Sequence, residues 1–181
     1  MKDSIRKEIL KKLIAHPALE RAARSRKIKD KLFQEEEFKK AKCVMFYVST
    51  EEEVDTYRMI FEALEMGKRV CVPVILKGLK KIVASEIKGS SALRKGPHGI
   101  YQPKESTINP VSLEDIDLVV VPGVAFDSCN IRLGRGYGYY DRFLCGLKEE
   151  TKTIGLAFQF QVVDSLPRDS HDIPVSKTIT A

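Results

Sequence analysis

The stretch from Leu118 to Leu147 reads L-V-V-V, then P-G-V-A-F-D-S-C-N-I-R-L-G-R-G-Y-G from Pro122 to Gly138, then Y-Y-D-R-F-L-C-G-L. Consecutive aliphatics ended by Pro-Gly predict a strand buried on both faces, the kind found inside parallel sheets. The run from Tyr139 to Leu147 predicts a helix. Between them lie Gly123, Gly134, Gly136 and Gly138, with Arg132 and Arg135 interleaved. Glycine lets a backbone approach a ligand with no Cβ in the way. Arginine adds a planar fork of donors for phosphate or carboxylate oxygens, and a helix start adds free N–H groups at the positive end of its dipole. Strand, loop and helix in this order predict an anion cradle. The segment is not a Walker loop, because no G-K-[ST] follows, and its strictly alternating glycines fit a dinucleotide fingerprint poorly. A surface loop that uses glycine for turns and arginine for solubility is the plain alternative. Tyr137, Tyr139 and Tyr140 in the same segment argue against it.

Working outward, Ala41–Val48 is a second short apolar run and predicts another interior strand, followed by the polar loop Ser49-Thr50-Glu51-Glu52-Glu53. Helical spacing runs from Met1 to Ala15. A second helix is predicted from Pro17, at its first position, towards Phe38. A third spans Val54–Met66, with Ile60, Phe61 and Leu64 inward and Gly67 as its stop. Strands are expected at Arg69–Ile75, with Pro73 marking an end or an edge, at Lys80–Ile87, Thr153–Ala157 and Val175–Ile179. The segment from Lys88 to Pro110 reads mostly as loop. Alternating strands and helices with no linker imply a single three-layer α/β/α domain spanning 1–181, built on a mainly parallel sheet. Ligands of such sheets sit beyond the carboxyl ends of strands. The loops after Val48 and after Val121 therefore point to one crevice.

The chain has 181 residues, 43% hydrophobic and 31% charged, the composition of a globular protein. No apolar run approaches the roughly 20 residues that cross a bilayer, and the N-terminus lacks an apolar signal core. A cytoplasmic protein without a membrane partner is expected. Cys43, Cys71, Cys129 and Cys145 have no C-x-x-C spacing, so neither structural zinc nor disulfides are expected. The net charge of +6 suits either a solvated lysine-rich surface or an anionic ligand. A basic RNA-binding module is one rival reading. Glu35, Glu36, Glu37 and Glu51, Glu52, Glu53 interrupt its basic stretches, and no nucleic-acid partner is expected. A sugar-phosphate isomerase or CoA-transferase relative is another, and it would not need ATP.

The runs Val121-Pro122-Gly123-Val124-Ala125-Phe126-Asp127 and Arg132-Leu133-Gly134-Arg135-Gly136-x-Gly138-Tyr139-Tyr140-Asp141 resemble the 5-formyltetrahydrofolate cyclo-ligase (methenyltetrahydrofolate synthetase) family. The likeness keeps its order along nearly the whole chain. It takes in Lys2-x-x-x-Arg6, Glu53-Val54-Asp55-Thr56, Gly99-Ile100-x-Gln102-Pro103, Gly155-Leu156-Ala157-Phe158 with Gln161, and His171-Asp172-Ile173-Pro174-Val175. The resemblance implies ATP with Mg2+ and a reduced folate, 5-formyltetrahydrofolate, as small-molecule partners of a monomer. It places Lys2, Arg6, Arg132, Gly134, Arg135, Gly136, Tyr137, Gly138, Tyr139 and Tyr140 at the nucleotide. Val48, Glu53 and the stretch Arg135, Gly136, Tyr137, Gly138, Tyr139 fall at the folate, and Asp141 and Asp172 at the metal. Arg135 and Tyr140 are implied as catalytic residues. Alanine at Arg135 or Asp141 is expected to cripple turnover and leave the fold intact. The chain departs from the family at Tyr137, where relatives often carry lysine or glycine.

Overall fold

The computed structural model describes residues 1–76, 81–89, 93–95 and 101–181; Lys80, Gly99 and Ile100 lie outside the described residues. In chain order come helices α1 (Lys2–Ala15), α2 (Ala18–Gln34) and α3 (Glu36–Lys40), then strand β1 (Cys43–Phe46) and helix α4 (Tyr57–Glu65). Strands β2 (Arg69–Leu76), β3 (Lys81–Ile87), β4 (Leu93–Lys95), β5 (Tyr101–Pro103), β6 (Leu118–Val121), β7 (Ala125–Asp127) and β8 (Arg132–Leu133) follow. Helix α5 (Tyr139–Leu144) precedes β9 (Lys152–Ala157), β10 (Val162–Val163) and β11 (Lys177–Thr180). The central sheet has the order β11-β9-β6-β1-β2-β3. Every neighbouring pair in it is parallel except β2 with β3. The mainly parallel α/β architecture expected from the sequence is the one found.

Alternation along the buried strands sorts their side chains onto two faces. Val44 and Phe46 of β1, with Leu118 and Val120 of β6, face one core together with Ile9 and Leu13 of α1, Ile28 and Leu32 of α2, and Met59, Ile60 and Ala63 of α4. Cys43, Met45, Val119 and Val121 face the other, where Phe143 and Leu144 of α5 cover them. Cys43 and Cys71 sit on neighbouring strands with their sulfurs 3.6 Å apart, and both are free thiols. Among the described residues no helix is long and apolar enough to cross a membrane.

Several elements differ from expectation. The helix predicted from Pro17 to Phe38 is broken at Glu35, whose backbone is extended (φ −63°, ψ 136°). Lys177 of β11 holds the break, pairing with Glu35 at 2.7 Å and Glu37 at 3.3 Å. Helix α4 starts at Tyr57 rather than Val54, because the Asp55 carboxylate accepts the Tyr57 N–H and Thr56 is tied to Tyr47. Pro73 lies within β2, but pairing with β1 ends at Cys71, so no β1 carbonyl awaits the N–H that proline lacks. The segment read as loop from Lys88 to Pro110 includes the antiparallel pair β4–β5. The glycine-rich segment includes β7 and β8, which form a second sheet with β10.

Two glycines bracket one ring. A Cβ on Gly155 of β9 would meet Phe126 Cε1 at 2.4 Å, and one on Gly123 would meet Phe126 Cζ at 2.5 Å. Gly155→Ala is therefore expected to lower folding stability by about 1–3 kcal/mol through overpacking. Urea unfolding checks this as a lower midpoint at unchanged m-value.

His16, at the end of α1, packs edge-on against Phe158 and Phe160 at 4.6 and 5.2 Å between centroids. Neither ring nitrogen has a hydrogen-bond partner among the described residues. Burial first, then Arg24, lower its pKa; Glu20 opposes and Arg21 adds to the drop. The unfolded chain thus takes up this proton at higher pH than the folded one. The contribution is fully present above the ordinary histidine value of about 6.5 and is lost as pH falls through the folded pKa. Thermal melts between pH 7.5 and 5 should show wild type losing stability more steeply than His16→Phe.

Candidate active site

The carboxyl ends of β1 and β6 open into a cleft of about 560 Å³, and every residue assigned above to nucleotide, folate or metal lines it. Parallel strands release their chains at one edge of the sheet, so the two loops expected to be neighbours do meet there. Arg135 Nη2 of the glycine-rich loop donates to Glu53 Oε1 of the post-β1 loop at 3.1 Å. The other Glu53 oxygen accepts the Thr50 N–H at 3.0 Å, which fixes the carboxylate at the loop's base. Leu10, Val48, Ile75, Ile82, Val124 and Leu133 supply an apolar wall.

The loop itself is held by α1. Arg6 Nε donates to the Gly134 carbonyl at 2.9 Å, and Arg6 also pairs with Asp3. Gly136 and Gly138 have φ of 97° and 64°, a left-handed backbone that favours glycine. Tyr137 between them is 62% exposed and turns outward, with its carbonyl accepting from Arg142 at 3.0 Å. Its ring lies 6.1 Å from that of Tyr139.

Arg132 is placed differently from its sequence reading as an open phosphate fork. Its side chain is only 3% exposed; Nη2 donates to Asp141 Oδ1 at 2.8 Å and the guanidinium lies 5.8 Å from the Tyr140 ring centroid. Arg132 Nε and the Tyr140 hydroxyl are buried with no hydrogen-bond partner among the described residues. Burial first, then the negative charge of Glu53, push the Tyr140 hydroxyl well above its ordinary pKa, while Arg132 pulls the other way. That hydroxyl stays protonated and can act as a donor, not as a base. The Arg132 pairing also corrects one expectation: removing the Asp141 carboxylate would strand a buried guanidinium, so the fold would not be untouched.

A second charged group closes the cleft. Lys2 Nζ donates to Asp172 Oδ2 at 2.5 Å and Asp169 Oδ2 at 2.7 Å. Burial alone would lower the Lys2 pKa, but its hydrogen bonds to Asp169 and Asp172 and their charges outweigh it, and the pKa is raised. Burial alone would likewise raise the Asp172 carboxyl, but the Asp169 N–H and Lys2 outweigh it, and the pKa is lowered. Both groups are charged at neutral pH. Asp169, His171 and Asp172 bring potential ligand atoms within 4.8 Å of one another. The Ile173 N–H reaches Asp141 Oδ1 at 3.4 Å, which sets the Asp172 backbone beside the start of α5. These carboxylates are hard oxygen donors able to hold a divalent cation, and an ammonium already bridges two of them.

The sequence reading left out Asp169 and took His171 only as part of the family pattern, with no role, although the D-x-H-D spacing from Asp169 to Asp172 was a signal for both. It also gave no role to Tyr47, at the start of the family-like run Tyr47 to Thr56, whose hydroxyl donates to the Val54 carbonyl at 3.1 Å and props the loop that carries Glu53. Nothing in the sequence around Tyr47 marks that bond.

A model of the 5-formyltetrahydrofolate cyclo-ligase family matches residues 1–181. A Mus musculus protein named 5-formyltetrahydrofolate cyclo-ligase is 30% identical over 98% of this chain and 92% of its own length. The protein of that name from Escherichia coli K12 is 32% identical over 77% and 78%. Among solved structures, the 5,10-methenyltetrahydrofolate synthetase of Aquifex aeolicus superposes with a TM-score of 0.87 at 38% identity, covering 99% of this chain and 89% of its own. The synthetase of that name from Mycoplasma pneumoniae superposes with a TM-score of 0.79 at 27% identity, covering 98% and 97%.

Proposed function

This chain belongs to the 5-formyltetrahydrofolate cyclo-ligase family, and from that membership we propose that its cleft converts 5-formyltetrahydrofolate to 5,10-methenyltetrahydrofolate, consuming ATP and releasing ADP and phosphate. The observation that carries this reading is the Arg135–Glu53 contact, which sets the arginine of an anion loop against the carboxylate of a second loop inside one cleft. The whole chain, 1–181, is read as one catalytic domain acting as a monomer.

The chemistry asks for such a site. A formamide oxygen is a poor leaving group, so attack by the neighbouring N10 amine on the formyl carbon stalls. Transfer of the γ-phosphoryl group to the formyl oxygen, with ADP departing, gives an N5-iminium phosphate. N10 then bonds to that carbon, the carbon–oxygen bond breaks, and phosphate leaves with the former formyl oxygen. The N10 proton is lost, and the methenyl bridge remains. Phosphoryl transfer depends mainly on positioning and on neutralising charge.

In this reading Lys2, Arg6, Arg135 and the amides of Gly134, Gly136 and Gly138 bind the nucleotide, with Tyr137, Tyr139 and Tyr140 beside it. Arg135 stabilises charge on the transferring group, and the protonated Tyr140 hydroxyl donates to a substrate oxygen. Glu53 accepts N–H groups of the pterin once Arg135 turns to phosphate, and Val48 packs on the ring. Asp141 and Asp172, with Asp169 nearby, would hold Mg2+, which supplies charge neutralisation for the phosphates when bound. Arg132 serves by fixing Asp141. The test is oxygen tracing: substrate labelled with 18O in the formyl group should yield labelled inorganic phosphate. Unlabelled phosphate from an active enzyme would refute the phosphorylated intermediate.

A further inference from the structure

Gln161 belongs to the family-like sequence pattern yet has no place in the site described above. It is 3% exposed and ends the 3-10 turn Gln159–Gln161 that leads from β9 towards β10. The chains leaving β6 and β9 are adjacent, since Val121 pairs with Gly155. Both then turn away and meet again where β7 pairs with β10, Phe126 against Val162. Gln161 bridges that divergence with its carboxamide. Nε2 donates to the carbonyls of Gly123 at 3.0 Å and Val124 at 3.1 Å, and Oε1 accepts the Phe158 N–H at 2.8 Å. Only a primary carboxamide can donate twice from one atom and accept at the other; a carboxylate cannot donate, and a thioether cannot donate and accepts only weakly.

The backbone it grips is the floor beneath Arg132. A Cβ on Gly123 would lie 3.1 Å from Arg132 Cγ. Arg132 Nη1 points to the Pro122 carbonyl at 3.5 Å, and the Val124 N–H donates to the Leu133 carbonyl at 2.7 Å. Arg132 in turn holds Asp141. We propose that Gln161 is a positioning residue for the nucleotide and cation half of the cleft, seating the Gly123–Val124 turn so that Arg132 presents Asp141 correctly. This inference rests on the function proposed above. Glu53 and Val48 hang from the β1 end, apart from the carbonyls that Gln161 holds.

The test compares Gln161→Glu and Gln161→Met with wild type in steady-state kinetics, varying Mg·ATP and 5-formyltetrahydrofolate separately, with circular dichroism and thermal melts as fold controls. Arg132 is the outer partner of Asp141, loss of such a partner characteristically costs roughly 10- to 100-fold, and Gln161 acts through it. That drop is expected in kcat/KM for Mg·ATP, with the KM for folate changed by no more than about twofold. Wild-type kcat/KM in a folded variant, or an equal rise in both KM values, overturns the proposal. Should neither variant fold, NMR of 15N-labelled wild type decides: the Gln161 carboxamide protons should exchange slowly and shift on adding Mg·ADP. Fast exchange or no shift overturns it. Wild type without ATP-dependent turnover would instead sink the proposed function and leave the NMR result to judge Gln161 alone.

Discussion

Arg135→Ala is expected to lower kcat by about 10³-fold, the scale on which a single transition-state arginine or oxyanion donor acts, while the protein stays folded. The Arg135 side chain is 47% exposed and its ion pair with Glu53 spans 3.1 Å. An exposed pair of this kind contributes about 0–1 kcal/mol to stability. Its importance lies in where the guanidinium stands, on the loop between Gly134 and Gly136, able to leave Glu53 when a more highly charged anion arrives. Arg135→Lys keeps the charge but loses the fork, and should recover only part of the rate. Single-turnover kinetics with melts on the same samples check both halves. Wild-type turnover in Arg135→Ala would mean the loop does not serve the transferring phosphate.

Asp141→Asn should abolish turnover to a similar degree, and here stability falls too. The Arg132 side chain is 3% exposed and Asp141 17% exposed, so the amide would leave a nearly buried guanidinium without its counter-charge. Breaking a buried pair from one side costs about 3–5 kcal/mol, and the partial exposure of Asp141 favours the lower end of that range. Replacing both partners, as Arg132→Met with Asp141→Asn, should restore much of that stability and none of the activity. Denaturant unfolding alongside the turnover assay separates the two effects. A double variant as unstable as the single one would contradict the ion-pair account, and an active one would remove Asp141 from the chemistry.

The parts legible in the sequence were those whose signals are local. The apolar runs now seen as β1, β6 and β9 declare themselves by composition, and the Pro-Gly after Val121 marks where the chain leaves the sheet. The break at Glu35 was not legible, because no proline or glycine accompanies it and its partner Lys177 lies at the far end of the chain. Strands β7, β8 and β10 have two or three residues each, too few for any period to emerge. Within the site, the meeting of the Glu53 loop and the Arg135 loop followed from parallel-sheet topology alone. The burial of Arg132 did not, since an arginine among glycines reads as open to solvent until Asp141 is seen beside it. Asp141 and Asp172 were paired only through resemblance; the Ile173 N–H that reaches Asp141 is a backbone contact with no sequence trace.

The reaction itself is the most direct measure. Purified protein with 5-formyltetrahydrofolate and Mg·ATP should generate the strongly absorbing methenyl product with one ADP released per product, and none of it when ATP is withheld. Product formation at the same rate without ATP, or ADP release with no methenyl product, would contradict the account.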